Sequence, residues 1–316
     1  FMMSIRWVVW LCLGLWVPLA GAEESLELRR QLLEDVKVLS HTIGPRSMDQ
    51  HVQLQEAAQY ITRRFKRMGY SVERQDYQVD QKVASNLIAE KRGEKSPEEI
   101  VLIGAHYDSF QGPGADDNAS GVAGLLGLAQ AMTEREADRT IRFVAFTNEE
   151  FPYIRTPQMG SWVYAKRARE RGEKIHAVLI LEAIGYYTYR PKSQDFPPFF
   201  GIGRPQRGNF IAIIGYLKYR WLVRQVAQAF RRDSDFPVEH LATFSWVEGL
   251  TRSDNWSFWK EGYPALMISD TASYRNPYYH TTYDTWEMLD YDGMTQVVHG
   301  LIRAVESLAV SGEKQN

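Results

Sequence analysis

The spacing of apolar residues along the chain predicts an alternation of strands and helices. Apolar residues recur at helical spacing over Leu26–Ser40 and Val52–Met68. Short apolar runs typical of strands follow at Ser85–Glu90, Ile100–Ala105, Ile141–Thr147, Ala177–Ala183, Phe210–Ile214 and Ala265–Ile268. Further helical patterns cover Ser120–Thr133, Gly160–Arg171, Tyr219–Arg231 and Asp292–Leu308. This alternation predicts an α/β fold with a largely parallel sheet and helices on both faces.

The N-terminus has the pattern of a secretory signal peptide. Arg6 precedes the apolar run Trp7–Leu19, which is followed by the small residues Ala20-Gly21-Ala22 and an acidic pair. The run has 13 residues, fewer than the roughly 20 that span a bilayer as a helix. We therefore expect residues 1–22 to be removed on export and residues 23–316 to form a single domain. An uncleaved anchor is the alternative.

Composition narrows the possible chemistry. The single cysteine, Cys12, lies inside the predicted signal peptide. The mature chain would then have neither disulfides nor thiolate ligands, so a metal site must use histidines and carboxylates. A net charge of −2 does not favour nucleic acid or an anionic membrane surface as a partner. We expect a periplasmic or secreted protein with no stable membrane insertion after cleavage, and the pattern leaves its oligomeric state open.

Side chains suited to metal binding or proton transfer follow four of the predicted strands. They are His106-Tyr107-Asp108 after Ile100–Ala105, Asn148-Glu149-Glu150 after Ile141–Thr147, Glu182 after the apolar run that ends at Leu181, and Ser269-Asp270 with His280 after Ala265–Ile268. In open α/β sheets, ligands bind beyond the carboxyl ends of the strands. The sequence therefore predicts one functional site at this end of the sheet.

His106 and the acidic loop after it are candidates for one metal site. Asp108 lies two residues further on in an extended segment, so its carboxylate can hold the second ring nitrogen of His106. The loop Gly112–Gly121 carries the acidic pair Asp116 and Asp117. Asp117 comes eleven residues after His106, a separation that lets both face one cavity. Capping of the following helix by either aspartate is the alternative.

Three further segments add acids and a second histidine. Glu149 and Glu150 can divide metal-assisted hydrolysis between a general base and a ligand, or they can form a solvated acidic turn. Glu182 ends a strongly apolar strand, so its carboxylate requires a cation, either a metal or a basic side chain. His280 lies in a polar and aromatic loop that is not a core pattern.

The candidate ligands are two histidines and three carboxylates, without sulfur. One zinc ion takes three protein ligands and a water molecule. Five ligands with one bridging carboxylate therefore make two sites, which two-metal hydrolases hold about 3.5–4 Å apart. The expected cofactor is two zinc ions per chain, although manganese or cobalt also suits carboxylate-rich sites.

Six motifs, taken in order, resemble metallopeptidase family twenty-eight. They are HYDS at 106–109, GADDNASG at 114–121, FTNEE at 146–150, LEAIGY at 181–186, SDNWSFW at 253–259 and YYHTTYDT at 278–285. The resemblance extends from about Ile43 to the C-terminal helix. The family comprises two-zinc aminopeptidases, relatives with carboxypeptidase activity and glutaminyl cyclases. It implies a three-layer α/β/α sandwich with a mostly parallel mixed sheet, the phosphorylase/hydrolase-like zinc exopeptidase fold.

The resemblance also implies roles for individual residues. It implies five metal ligands: His106 and Glu182 for one zinc ion, Glu150 and His280 for the other, and Asp117 as the bridge. It implies three further catalytic residues: Glu149 as the general base, Asp108 as the residue that orients His106, and Tyr279 as the donor to the developing oxyanion.

Two positions depart from the family pattern. Glu182 stands where the best-known members have aspartate, and Asn255 stands where the family often has histidine after Ser-Asp. We therefore treat Asp254 and Asn255 as substrate-pocket residues only. The pocket is expected to include the loop Phe236–Arg252 and the aromatic residues Phe244, Trp246 and Trp256.

The leading interpretation is an aminopeptidase that hydrolyses the first peptide bond of peptides with a free N-terminus. A glutaminyl cyclase, which is a single-zinc acyltransferase, and a carboxypeptidase are alternatives on a related fold. A binding module that keeps the fold without catalysis is a third, and such a module should lack one or more ligands. The preferred N-terminal residue and peptide length are not indicated.

Overall fold

A computed structural model describes residues 17–198, 200–244, 247, 249 and 251–311 of the chain. The helices in these ranges are α1 (Val17–Lys37), α2 (His51–Arg67), α3 (Gly121–Met132), α4 (Gly160–Glu170), α5 (Arg220–Phe230), α6 (Asn255–Lys260) and α7 (Tyr291–Ala309). The strands are β1 (Val72–Val79), β2 (Lys82–Lys91), β3 (Ser96–His106), β4 (Arg139–Phe146), β5 (Lys174–Glu182), β6 (Ile211–Tyr216), β7 (Val238–Thr243) and β8 (Ala265–Ser269). These eight strands form one sheet in the order β1-β2-β4-β3-β5-β8-β6-β7.

The middle of the sheet consists of four neighbouring parallel strands. β4, β3, β5 and β8 all run in the same direction. On one side, β2 is antiparallel to β4 and β1 is antiparallel to β2. On the other side, β6 is antiparallel to β8, and β7 is parallel to β6. The predicted mixed and mostly parallel sheet is confirmed, and the carboxyl ends of its four central strands lie side by side.

Helices cover both faces of this sheet. In β3, Val101, Ile103 and Ala105 pack in a core that includes α1, α2, α3, α5 and α7. The alternate residues Ile100 and Leu102 pack in a second core with α4 and α6. This division follows from the two-residue period of a strand, which turns successive side chains to opposite faces. The predicted three-layer α/β/α arrangement is confirmed.

Helix α3 packs unusually close to the end of β5. A Cβ atom on Gly121 would lie 2.7 Å from the carbonyl oxygen of Leu181, and one on Gly124 would lie 2.6 Å from Ile184 Cδ1. The obstacle at Gly121 is backbone, so glycine is required there for this approach, whereas at Gly124 it is the end of the Ile184 side chain. Asn118 joins the two elements, because its Nδ2 donates to the Leu181 carbonyl oxygen at 2.9 Å. The loop before α3 is thus held against the end of β5.

The apolar pattern does not predict β1, β7 or α6. β1 and β7 are the outermost strands, and their sequences VERQDYQV and VEHLAT are polar at many positions. An outermost strand has no second neighbour to bury it, so its two-residue hydrophobic period is weak. α6 has only 6 residues, which is too short for a helical period to be recognised.

The described part of the N-terminal segment is helical. α1 begins at Val17, whereas the apolar pattern predicts a helix only from Leu26. Residues 1–16 of the predicted signal peptide lie outside the described residues. Of the helices in the described ranges, none combines the length and apolarity that a membrane crossing requires.

Candidate metal centre

The five predicted ligands lie together beyond the carboxyl ends of the central strands. His106 is the last residue of β3, and Glu182 is the last residue of β5. Glu150 follows β4, His280 follows β8, and Asp117 lies just before α3 with non-helical backbone angles. Because neighbouring parallel strands end at the same side, residues far apart in the chain come into contact here.

The ligands form two groups that share Asp117. His106 Nε2 lies 3.2 Å from Asp117 Oδ1 and 3.4 Å from Glu182 Oε2. His280 Nε2 lies 2.9 Å from Asp117 Oδ2 and 3.4 Å from Glu150 Oε1. Within each group the potential ligand atoms lie within 4.8 Å of one another. The two oxygens of Asp117 thus face different groups, as expected of a carboxylate that bridges two metal ions.

Several atoms of this cluster are buried without a hydrogen-bond partner among the described residues. They are both ring nitrogens of His106, Oδ1 of Asp117 and Oε1 of Glu150. Buried polar atoms are normally paired, so a cluster of unpaired ones facing a common point indicates a missing partner. Imidazole nitrogens and carboxylate oxygens are ligands that zinc accepts. The residues therefore fit a pair of divalent metal ions.

The charges of the cluster also favour a bound metal ion. Burial raises the pKa of the Glu150 carboxyl to about 8, and the negative charge of Asp117 adds to this effect. Burial acts to raise the pKa of Asp117 as well, but the neighbouring imidazoles of His106 and His280 outweigh it and lower that pKa. Crowded carboxylates in a buried space favour a bound cation, which neutralises them.

Glu149 lies beside the first ligand group. Its Oε2 is 3.8 Å from His106 Nε2, and its Oε1 is buried without a hydrogen-bond partner among the described residues. Burial raises the pKa of Glu149 well above the usual range, and the charges of Glu182 and Glu150 add to this effect. Glu149 also forms a possible three-ligand group with His106 and Glu150. A carboxyl group with a raised pKa beside the ligands has the properties of a general base.

Asp108 fixes the backbone of the two glutamates. Its Oδ1 accepts a hydrogen bond from the backbone N–H of Glu149 at 3.2 Å, and its Oδ2 accepts one from the N–H of Glu150 at 3.1 Å. The same Oδ1 lies 3.4 Å from His106 Nδ1. Asp108 therefore joins the ends of β3 and β4, whereas the sequence indicated only its contact with His106.

Three residues at or beside ligand positions have a left-handed backbone. The φ angles are +58° at Asn148, +49° at Ala183 and +58° at His280. Such angles are uncommon for residues other than glycine, and they persist only where the surrounding structure enforces them. The strain is located at the loops that carry Glu149, Glu182 and His280, so the fold holds these loops in a specific shape.

A cavity opens next to the first ligand group. Its empty volume is about 1000 Å³, which includes open solvent, and its wall includes Glu182, Ser253 and Tyr279. The Tyr279 ring stacks on its neighbour His280 with centroids 3.9 Å apart. The apolar part of the remaining wall includes Phe196, Phe210, Ile214, Leu241, Val247 and Met267, and the charged residues Asp195, Arg204, Glu239 and Arg252 also line it. The cavity can therefore hold an apolar side chain beside the ligands.

The sequence of the chain matches the model of a known protein family. The model of Peptidase family M28 matches residues 86–305, which carry the complete ligand cluster. The chain belongs to peptidase family M28. The predicted family is thereby confirmed, and the α/β/α fold agrees with solved structures that resemble it.

Relatives of this M28 chain include proteins with and without a stated activity. It is 39% identical over 282 residues to the uncharacterized protein YfbL of Escherichia coli (strain K12), with 86% of each chain covered. It is 28% identical over 230 residues to a probable leucine aminopeptidase of Trichophyton verrucosum (strain HKI 0517), with 67% of this chain and 54% of that relative covered. The M28 chain thus spans about half the length of this second relative.

Two solved structures share the fold of this M28 chain. A zinc aminopeptidase from Bacillus subtilis matches with a TM-score of 0.71 and 14% identity, covering 88% of this chain and 94% of that one. A glutaminyl cyclase from Bacteroides thetaiotaomicron matches with a TM-score of 0.67 and 16% identity, covering 90% of this chain and 98% of that one. At these identities the likeness concerns the fold.

Of the substrate-pocket residues predicted from the sequence, the four that the structure describes are not part of the cavity wall of the M28 chain. Asp254 and Asn255 are buried, and Trp256 packs edge to face on a neighbouring tryptophan. Phe244 is half exposed, and Trp246 lies outside the described residues. The wall comes from β6, β7 and β8, from the segment after β5, and from Val247, Gly249, Arg252 and Ser253, which lie near the predicted residues in the chain. An aromatic cluster in one loop cannot reveal a wall that several separate strands supply.

Two residues that support the ligands of the M28 chain are missing from the predicted set. Ser253 Oγ donates to Glu182 Oε2 at 2.6 Å. Asp284 accepts hydrogen bonds from the backbone N–H groups of Asp116 at 3.0 Å and Asp117 at 3.1 Å. Both residues belong to motifs that carry the family resemblance. Their positions in those motifs mark both residues as candidates. Their hydrogen-bond partners lie in distant segments of the chain, so only the fold identifies those partners.

Arg46 supports the backbone of the loop between His106 and Asp117, and no sequence pattern indicates this role. It is fully buried, and its guanidinium donates to the carbonyl oxygens of Tyr107 at 2.7 Å and Gly114 at 2.9 Å. It also donates to the carbonyl oxygens of Leu39, Gly44 and Pro113. Burial lowers the pKa of Arg46 to about 10. This one side chain therefore connects the end of α1 with the loop between His106 and Asp117.

Proposed function

We propose that this chain is an exported aminopeptidase that binds two zinc ions and removes the first residue of peptides with a free N-terminus. The observation that carries the proposal is the pair of ligand groups that share the two oxygens of Asp117. Membership of family M28 supports peptide substrates. The leucine aminopeptidase among the relatives and the zinc aminopeptidase among the structural neighbours support this choice of reaction.

The residues around the cluster account for the steps of hydrolysis. His106, Glu182, Asp117, Glu150 and His280 would hold the zinc ions, which would supply Lewis acidity to the peptide carbonyl and to water. Glu149 accepts a proton from the attacking water and delivers it to the leaving amine, and its raised pKa suits a group that holds the proton between these steps. Tyr279, which lines the cavity, donates its hydroxyl to the developing oxyanion.

The cavity positions the first residue of the substrate. Its apolar wall receives the side chain of that residue, which excludes water from the reacting carbonyl. The carboxylates of Glu182 and Glu149 lie at the ligand end, where negative charge favours the protonated α-amine of a free N-terminus. A blocked N-terminus lacks that charge, so we expect blocked peptides to be poor substrates.

A glutaminyl cyclase is the second candidate, because cyclases share this fold. The resemblance implies one zinc ion for a cyclase and two for an aminopeptidase. Asp117, Glu150 and His280 provide a second ligand group, which a single-zinc enzyme does not need. This second group favours the aminopeptidase, and the complete ligand set argues against a binding module that has lost its site.

Export is part of the proposal and is based on residues 1–22. Removal of this segment is compatible with the contacts that hold α1 in place. Ser25 Oγ lies 3.1 Å from His299 Nε2, and Arg29 Nε donates to Asp292 Oδ1 at 2.5 Å. A mature chain that starts at residue 23 keeps both contacts with α7. N-terminal sequencing of protein recovered outside the cytoplasm tests the cleavage site, and recovery of uncleaved chain would contradict it.

Metal content and hydrolysis of aminoacyl-arylamides, measured together, test the enzymatic proposal. We expect two zinc ions per chain and cleavage by the wild type. Glu149→Gln should keep the zinc and lose about 10²-fold or more in kcat, because the amide cannot accept the proton. Glu170→Gln is the matched control, since Glu170 is exposed on α4. One zinc ion with no arylamide cleavage, but cyclisation of N-terminal glutamine, would establish the cyclase instead.

A further inference from the structure

We infer that the rings of Phe110 and Phe151 form a binding platform for the side chain of the second residue of the substrate, with a preference for aromatic side chains. This inference rests on the proposed function, because it assumes cleavage of the first peptide bond. We call the pair the Phe110–Phe151 platform.

The platform adjoins the second ligand group. The ring of Phe110 lies 5.0 Å from the ring of His280, with an interplanar angle of 58°. The ring of Phe151 lies 6.4 Å from that of Phe110, at 52°. Phe151 also follows Glu150 directly in the chain. Both rings are therefore fixed to residues of the Glu150 and His280 group.

Phe151 is exposed although its neighbour is not. Its relative exposure is 70%, whereas that of Glu150 is 5%. A single exposed apolar side chain is common and needs no explanation. Here the exposed ring packs beside a second ring, and that second ring contacts a ligand residue. A pair of rings at the edge of a polar cluster offers an aromatic ligand an edge-to-face or offset contact.

The platform adjoins His280 and Glu150, whereas the apolar cavity is lined by Glu182 and Tyr279. The cavity wall includes Glu182, and neither ring of the platform is part of it. We place the first side chain of the substrate in the cavity and its carbonyl at Asp117, so that the chain continues toward the neighbouring Glu150 and His280. One extended residue spans about 3.3–3.6 Å. The second side chain of the substrate therefore arrives at the side where the two rings lie.

The two loops that carry the platform are held in place by short hydrogen bonds. The backbone N–H of Ser109 donates to the Arg46 carbonyl oxygen at 2.8 Å, and Ser109 Oγ donates to the Gly112 carbonyl oxygen at 2.9 Å. After the second ring, the N–H of Tyr153 donates to the Glu150 carbonyl oxygen at 2.8 Å. A surface that is already ordered loses little conformational entropy on binding.

Dipeptide amides with leucine first and glycine, alanine, phenylalanine or tryptophan second test the platform. The wild type should cleave the two aromatic substrates with a kcat/KM about 10-fold above that of the glycine substrate, mainly through KM. Phe151→Ala should remove most of this preference, and Phe151→Leu should retain part of it. All variants should be compared at equal zinc content.

Trp221→Ala is the matched control. Trp221 is an exposed aromatic residue on α5 that packs beside His176. His176 lies near the start of β5, six residues before Glu182, which is about 20 Å along a strand. The control should keep the preference of the wild type.

The outcomes separate this inference from the proposed function. A wild type that cleaves all four substrates equally overturns the platform alone. So does a Phe151→Ala variant that keeps the preference, or one that loses all four activities in equal proportion. A zinc-loaded wild type that cleaves neither these dipeptides nor any arylamide overturns the proposed function, and the platform with it.

Discussion

Replacement of Ser253 by alanine should weaken zinc binding by the ligand group that contains Glu182. Zinc binding by the group of Glu150 and His280 should stay unchanged. Ser253 is 1% exposed, and its hydroxyl donates to Glu182 Oε2 at 2.6 Å. That same oxygen faces His106 at 3.4 Å in the first ligand group. Alanine removes one oxygen atom and its hydrogen bond without adding bulk. The carboxylate of Glu182 then loses the hydrogen bond that fixes its orientation, whereas no hydrogen bond among the described residues joins Ser253 to Glu150 or His280.

The expected size of the effect follows from the hydrogen bond. A hydrogen bond to a charged group contributes about 1.5–3 kcal/mol. At about 1.4 kcal/mol per factor of ten, this corresponds to zinc binding about 10- to 100-fold weaker in the first group. A competitive titration with a fluorescent zinc chelator, fitted to two sites, measures both affinities. Arylamide turnover should fall at limiting zinc and recover when zinc is in excess, because the remaining ligands are intact.

Ser257→Ala is the matched control for this measurement. Ser257 is also fully buried, one turn further along the same segment, and it pairs with Ser161 Oγ at 2.8 Å rather than with a ligand. Its zinc titration should match that of the wild type. If Ser253→Ala binds two zinc ions with unchanged affinities, the hydroxyl does not position Glu182. If both affinities fall equally, the two ligand groups are not independent and the reasoning fails.

Two further substitutions test the supports of the site and of the fold. Asp284→Asn retains one acceptor for the backbone N–H groups of Asp116 and Asp117 but turns an amide donor toward them. Zinc affinity should therefore fall about 10- to 100-fold. An unchanged chelator titration would show that this contact is dispensable. Asp35→Ala leaves Arg64, which donates to it at 2.7 and 2.9 Å, without its buried partner between α1 and α2. The Asp35→Ala substitution should lower the free energy of unfolding by about 3 kcal/mol in urea titrations. Activity should be retained at urea concentrations below the unfolding transition. A variant as stable as the wild type would contradict the expectation.

The sequence predicts the central strands and the polar residues that follow them. β3, β4, β5 and β8 are buried on both faces, so each appears in the sequence as a short, nearly continuous apolar run. A polar residue directly after such a run is conspicuous, as at His106 and Glu182. Because parallel strands end on the same side, the sequence alone is enough to assign these positions to one site.

The remainder depends on contacts that carry no local pattern. Arg46 is a single basic residue in a loop, and nothing around it indicates that five carbonyl oxygens will surround it. The outermost strands β1 and β7 are too polar for a periodic signal, yet β7 supplies Leu241 to the cavity wall. The Phe110–Phe151 platform joins two loops that are 41 residues apart. Each of these features exists only once distant segments have packed together.

The two halves of the metal centre are held by different kinds of structure. His106 and Glu182 end neighbouring strands whose register pairs Gly104 with Ile180, and a slip by one residue would turn either side chain to the opposite face. His280 instead lies in a loop with a left-handed φ of +58° and is partly exposed. The first group is thus as rigid as the sheet, while the second depends on loop contacts. The cavity adjoins Glu182 of the rigid group, so the proposed binding of the first substrate residue relies on the part of the site that the sheet holds most firmly.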